Sequence, residues 1–76
     1  MDADRSLDCT GLVCPLPVLR ARKVLSGMAP GQVLAVSATD PAAPRDFDAF
    51  CAAAGHTLLD REERDGVFGF RIRRGG

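Results

Sequence analysis

Asp8-Cys9-Thr10-Gly11-Leu12-Val13-Cys14-Pro15-Leu16-Pro17 is the stretch in which the chain changes from a two-residue period to a helical one. Upstream, Ser6 to Thr10 alternates Leu7 and Cys9 with polar neighbours, as a short strand does, and Gly11 closes it. Downstream, from Pro15 to Met28, the residues Val18, Ala21, Leu25 and Met28 fall on one stripe flanked by Val24, the face of a helix expected to be buried. Pro15 suits the first helical position, because its fixed φ matches a helix and its missing N–H would lack a partner there anyway. Cys14 therefore stands at a predicted helix N-terminus, where free amides and the helix dipole favour an anion. The expectation is a lowered thiol pKa and a stabilised sulfur anion. Pro17 removes another N–H from the same turn, which leaves the Leu16 and Val18 amides to face the sulfur.

Beyond this stretch the period changes again. Gly27, Pro30 and Gly31 stop the helix, and Gln32 to Thr39, with Val33, Leu34 and Val36 and few charges, reads as a strand covered on most of its surface. Asp40, Pro41 and Pro44 form the next break, with Asp40 placed to cap the element after it. Phe47, Phe50, Cys51 and Ala54, spaced by three and four, predict a second helix ended by Gly55. Thr57 to Arg64 and Val67 to Arg73 read as strands joined by Asp65-Gly66, a strong two-residue hairpin signal, and Phe68, Phe70 and Ile72 give the last strand one apolar face. The order is βαβαββ. Helices long enough to cross over make the first two strands parallel, the hairpin is antiparallel, and each helix has one apolar face. The predicted fold is an α/β two-layer sandwich: a mixed four-stranded sheet with both helices on one face, formed by residues 1–76 as a single domain.

Composition limits the functions open to such a chain. With 76 residues it has room for one small core and no large pocket. Its hydrophobic content of 46% and charged content of 26% are ordinary for a globular protein. Ten basic and ten acidic side chains leave no net charge, so no global field points to nucleic acid, although Arg71, Arg73 and Arg74 make a small basic end. Neither a signal peptide nor a long apolar run is evident, so no membrane association is expected. Three cysteines cannot all pair within one chain, which points to reduced thiols and a cytoplasmic location.

The opening stretch fits the D-x-x-G-L-x-C-P-x-P signature of the TusA/SirA-like sulfur-carrier proteins. The chain resembles that family further at Lys23, Leu25, Gly31, Asp40-Pro41, Asp46, Phe50-Cys51, Gly55-His56, Phe70, Ile72 and the final Gly75-Gly76. The resemblance implies that Cys14 takes a sulfane sulfur as a persulfide and hands it to another protein, in tRNA thiolation, molybdenum-cofactor or sulfur-oxidation pathways. It implies a cysteine desulfurase or a rhodanese-type protein as donor, a cysteine of a second protein as acceptor, and no cofactor or metal. Asp8, Gly11 and Leu12 would shape the turn that presents the sulfur, with Pro15 and Pro17 as structural supports. The chain departs from the pattern at Leu16, where the tRNA-thiolation member has an acidic residue, and this bears on partner choice. On a helical wheel Leu16 and Leu19 fall away from the buried stripe, beside Arg20 and Lys23, and read as a docking patch with basic side chains fixing orientation.

Plainer readings stand beside these. Cys9 and Cys51 fit the core, while Cys9 is also open to a role as a thiol partner of Cys14 in a dithiol redox or regulatory protein. His56 comes just after a helix end and fits a capping or surface role. A metal site built from Cys9, Cys14, Cys51 and His56 lacks any C-x2-C pair. The terminal diglycine invites comparison with ubiquitin-like carriers, but those folds begin with a β-hairpin and this chain does not. Within a relay such a protein is a sulfurtransferase component more than an independent catalyst.

Overall fold

The computed structural model describes residues 3–76. The chain forms β1 (Arg5–Cys9), α1 (Leu16–Ser26), β2 (Val33–Ala38), α2 (Ala43–Ala54), β3 (Thr57–Arg64) and β4 (Val67–Arg73). The four strands make one sheet in the order β1-β2-β4-β3. β1 runs parallel to β2, with Leu7 opposite Val36 and Cys9 opposite Ala38, whereas β4 is antiparallel to both β2 and β3. This is the mixed sheet expected from two helical connections and a closing hairpin.

Strand position explains the hydrophobic pattern. The central strands β2 and β4 supply Leu34, Val36, Ala38, Phe70 and Ile72, all pointing to one face and all buried. Ala21, Leu25 and Met28 from the α1 side and Ala43, Phe47 and Cys51 from α2 complete the same core, so both helices cover that one face. The Phe47 and Phe70 rings stand 4.7 Å apart and join the helix layer to the sheet. β3 is an edge strand, which accounts for its charged run from Asp60 to Arg64, a sequence a central strand would not carry. A register shift between Leu58 and Asp60 leaves Leu58 half-buried and Leu59 exposed. Asp65 and Gly66 both adopt positive φ, 54° and 81°, as a tight two-residue hairpin requires.

Helix boundaries differ from the sequence reading in three places. Pro15 is the residue before α1 and Leu16 the first helical one, which moves Pro17 into the first turn with its ring buried. At the other end the amides of Gly27 and Met28 bond three residues back, to Val24 and Leu25, so the helix tightens after Ser26 while Met28 still reaches the core. The α2 helix has no side-chain cap: Ala42 precedes it, Pro44 lies inside its first turn instead of breaking the chain, and Asp40 is engaged elsewhere. Ala54, expected on the buried stripe, is exposed, and Val18 and Val24 are half-buried. Gly55 ends α2 in the left-handed conformation, φ 78°, as its position predicts.

Candidate functional site

Because β1 and β2 are parallel, the segments leaving their C-terminal ends emerge on the same edge of the sheet, the edge at which open α/β sheets carry their sites. The segment after β1 is built from local hydrogen bonds. Oδ1 of Asp8 accepts the Thr10 N–H at 2.9 Å and the Thr10 hydroxyl at 2.7 Å, a tight side-chain turn that holds the carboxyl below its usual range. Gly11 comes next at φ 80°, a conformation that strains any residue with a Cβ, and its N–H donates to the Thr39 hydroxyl at 2.9 Å. The Leu12 N–H returns to the Cys9 carbonyl, and its side chain packs on the core. The chain then reaches Cys14, which is exposed and is joined to Pro15 by a cis peptide bond.

The backbone at Cys14 is tied across the site. Its N–H donates to Oδ2 of Asp40 at 2.5 Å, and the other oxygen of the same carboxylate accepts the Ala42 N–H at 3.1 Å. A single side chain thus joins the cysteine segment to the approach to α2. This is the engagement that keeps Asp40 from capping α2 through the end of the helix.

The thiol itself does not follow the helix-dipole expectation. Its pKa is raised: the Asp46 carboxylate, in the first turn of α2, disfavours the thiolate most, partial desolvation adds to this, and the negative charges of Asp46 and Asp40 outweigh Arg45 nearby. The amide supply is smaller than expected as well. The Leu16 N–H donates to the Val13 carbonyl at 2.9 Å, so it is spent inside the turn. Asp46 of the second helix and Asp40 ahead of it, both far off in sequence, raise the thiol pKa that the first helix alone was expected to lower.

Beside the cysteine, Leu16 and Leu19 are 40% and 49% exposed, and Val13 is 66% exposed. Leu7, Leu16, Leu19, Arg20, Lys23 and Val24 line a shallow groove along the outer side of α1. Sequence reasoning misses Val13, which looks like the close of a hydrophobic turn. The remaining thiols stand apart. Cys9 is fully buried with its sulfur 4.0 Å from the Pro17 carbonyl oxygen, and burial raises its pKa. Cys51 is buried in α2, where burial and then Asp48 push its thiol up to about 11. Among the described residues no three His, Cys, Asp or Glu side chains gather in a way that would hold a metal ion.

At the opposite end of the sheet, Nδ1 of His56 accepts the Gly75 N–H at 2.9 Å, and Nε of Arg74 donates to the Leu25 carbonyl at 2.7 Å. The Arg74 backbone continues the ladder with Gly31 and Gln32. The tail therefore lies against the body of the protein. The basic end read from the sequence is dispersed: Arg71 pairs with Asp60, Arg74 is turned inward, and Arg73 is exposed.

Residues 5–74 match the family model described as sulfurtransferase TusA. The sulfur carrier protein TusA of Allochromatium vinosum is 51% identical over 73 residues, 96% of each chain. A Neisseria meningitidis protein provisionally named a sulfur carrier is 62% identical over 63 residues, 83% of this chain and 85% of that one. The crystal structure of a SirA-like protein from Desulfitobacterium hafniense superposes with a TM-score of 0.83 at 28% identity, covering 95% of this chain and 99% of that one.

Proposed function

The chain belongs to the TusA sulfurtransferase family, and from that premise we propose that it is a sulfur carrier whose Cys14 receives a sulfane sulfur as a persulfide and passes it to an acceptor protein. The observation that carries this reading is the position of Cys14: it is the exposed cysteine, at the shared C-terminal edge of two parallel strands, with its backbone clamped by Asp40. The chemistry requires such a placement. An acceptor thiol must reach the outer sulfur of a partner's persulfide, and the loaded sulfur must then be reachable by the next thiolate.

In the loading step Cys14 Sγ attacks the terminal sulfur of a donor persulfide. The donor S–S bond breaks, a new S–S bond forms on Cys14, and the donor cysteine leaves as a thiolate that takes up the proton Cys14 gives up. The sulfane sulfur keeps its oxidation level, so neither metal nor cofactor is required. The donor is a cysteine desulfurase or a rhodanese-type protein, and the acceptor a cysteine of another protein serving tRNA thiolation, molybdenum-cofactor formation or sulfur oxidation. The protein acts as a relay component in the cytoplasm, with residues 1–76 as one unit and no direct contact with nucleic acid or membrane. No helix among the described residues is long and apolar enough to cross a membrane.

Asp8, Gly11 and Leu12 build the turn, Pro15 and Pro17 stiffen the start of α1, and Leu16, Leu19, Arg20 and Lys23, with Val13, receive the partner. Leu16, in place of an acidic residue, makes this surface more apolar than that of the tRNA-thiolation member and shifts partner preference accordingly. A dithiol mechanism with Cys9 is disfavoured, because a sulfur with no exposed area cannot meet a partner without opening the core. Intact mass spectrometry after incubation with a desulfurase and cysteine is the test. The chain is expected to gain one sulfur atom, the Cys14→Ser variant none, and Cys9→Ser the same as the parent; loading that survives Cys14→Ser overturns the assignment.

A further inference from the structure

The parallel ladder between β1 and β2 ends at Cys9 and Ala38, and beyond it side chains around the end of β2 take over the grip on the departing β1 segment. The Ser37 hydroxyl lies 3.4 Å from Oδ1 of Asp8, the Thr39 hydroxyl accepts the Gly11 N–H at 2.9 Å, and Oδ2 of Asp40 accepts the Cys14 N–H at 2.5 Å. These contacts advance together along both segments, from the foot of the loop to the cysteine. Thr39 and Asp40 are half-buried, and the other oxygen of Asp40 accepts the Ala42 N–H. A carboxylate can accept from both amides at once, whereas a carboxamide in its place turns an N–H2 group toward one of them. The backbone that carries the sulfur is thus held at Gly11 and again at Cys14 by the two residues that follow β2.

We propose that Thr39 and Asp40 are positioning residues for sulfur transfer: by holding the Gly11 and Cys14 amides they fix the direction from which Cys14 Sγ meets a docked donor persulfide. The inference rests on the carrier reading of Cys14. In that step the attacking sulfur must approach the outer sulfur opposite the S–S bond that breaks, as the donor thiolate leaves and takes up the Cys14 proton. Neither residue belongs to α1, where Leu16 and Leu19 are exposed, so a loosened loop lowers the rate within the docked pair and leaves the docking itself alone. A small reagent can approach an exposed thiol from any open side and does not depend on this direction. Charge acts with the opposite sign: Asp40 helps to raise the Cys14 pKa, so removing it would, through electrostatics alone, speed both reactions.

Single-turnover transfer from a persulfidated cysteine desulfurase, at varied carrier concentration, separates the maximal rate from the half-saturating concentration. The variants are Thr39→Val, Thr39→Ser, Asp40→Asn and Asp40→Ala, each checked by thermal unfolding and by amide hydrogen exchange at Gly11 and Cys14. Thr39→Val is expected to speed exchange at Gly11 and to lower the maximal rate severalfold, with half-saturation and iodoacetamide alkylation unchanged. Thr39→Ser, which keeps the acceptor, restores the parent rate. Asp40→Ala is expected to speed exchange at Cys14 and to lower the maximal rate about tenfold even as alkylation near neutrality rises, with Asp40→Asn between it and the parent. A maximal rate equal to the parent's once the amides exchange freely overturns the proposal. So does a loss confined to half-saturation, which would make the two residues docking contacts. Should Asp40→Ala fail to fold, Asp40→Asn and the Thr39 pair decide the matter alone. A parent that takes up no sulfur would remove the carrier reading and the positioning role with it, while exchange at Gly11 and Cys14 would still report the two hydrogen bonds.

Discussion

A Cβ on Gly75 would sit 1.8 Å from the Gly55 carbonyl oxygen, far inside any tolerable contact, so the penultimate position admits glycine for want of space. The Gly75→Ala variant must lift the tail off and break the bond to His56; a loss of about 1 kcal/mol in denaturant unfolding is expected, with sulfur loading at Cys14 unchanged. The diglycine that invites comparison with acyl carriers is thus accounted for by docking at one of its two residues. Residues of this kind mark the limit of what a sequence discloses. Gly11, Cys14 and Gly66 are legible because their reasons are local: a turn, an adjoining proline, a hairpin. Asp40 is not, because the backbone it clamps lies 26 positions away and only the pairing of β1 with β2 brings the two together. The expected lowering of the thiol pKa fails for the same reason, since one helix read in isolation contains no hint of the Asp40 and Asp46 carboxylates that lie beyond β2.

Among the elements, α1 has two jobs on two faces. Pro17, Ala21 and Leu25 enter the core, while Leu16 and Leu19 stay in water beside Arg20 and Lys23. The helical period divides these sets correctly from sequence, apart from Pro17, which shows there only as a missing donor. Leu19→Asp places a charge on the outer face about one turn from the site. It is expected to slow sulfur transfer from a desulfurase severalfold, with iodoacetamide alkylation and thermal stability close to those of the parent. Equal losses in transfer and alkylation would remove the docking role. The hairpin is the most legible element of all, its boundaries agreeing residue for residue with Thr57–Arg64 and Val67–Arg73, because Asp65-Gly66 supplies both positive φ angles that the turn demands. Strand order is less accessible. Nothing local in β4 announces that it lies between β2 and β3, although its fuller burial relative to β3 is the trace this leaves in composition.

For the molecule as a whole, the single histidine offers a clean reading of pH dependence. Burial, and then the charge of Arg74, hold the His56 pKa below its usual value, and its neutral Nδ1 accepts the Gly75 amide. The unfolded chain therefore takes up a proton near pH 6.5 that the folded one resists. The stabilisation is full above that pH and is lost as pH falls toward the lower folded value. The melting temperature is expected to drop between pH 7.5 and 5.5, and His56→Gln to flatten that slope; an equal slope in both proteins would assign the effect to other groups.

Parallel pairing of the first two strands also gives the molecule a polarity along its length. Both helices begin near Cys14 and both end near the docked tail, so the two poles are separated by the length of a helix. An affinity tag, fluorophore or entire enzyme spliced on after Gly76 would hang from the pole away from the sulfur. The fold is accordingly suited to serve as a tethered delivery arm, moored at one end while the other visits its clients.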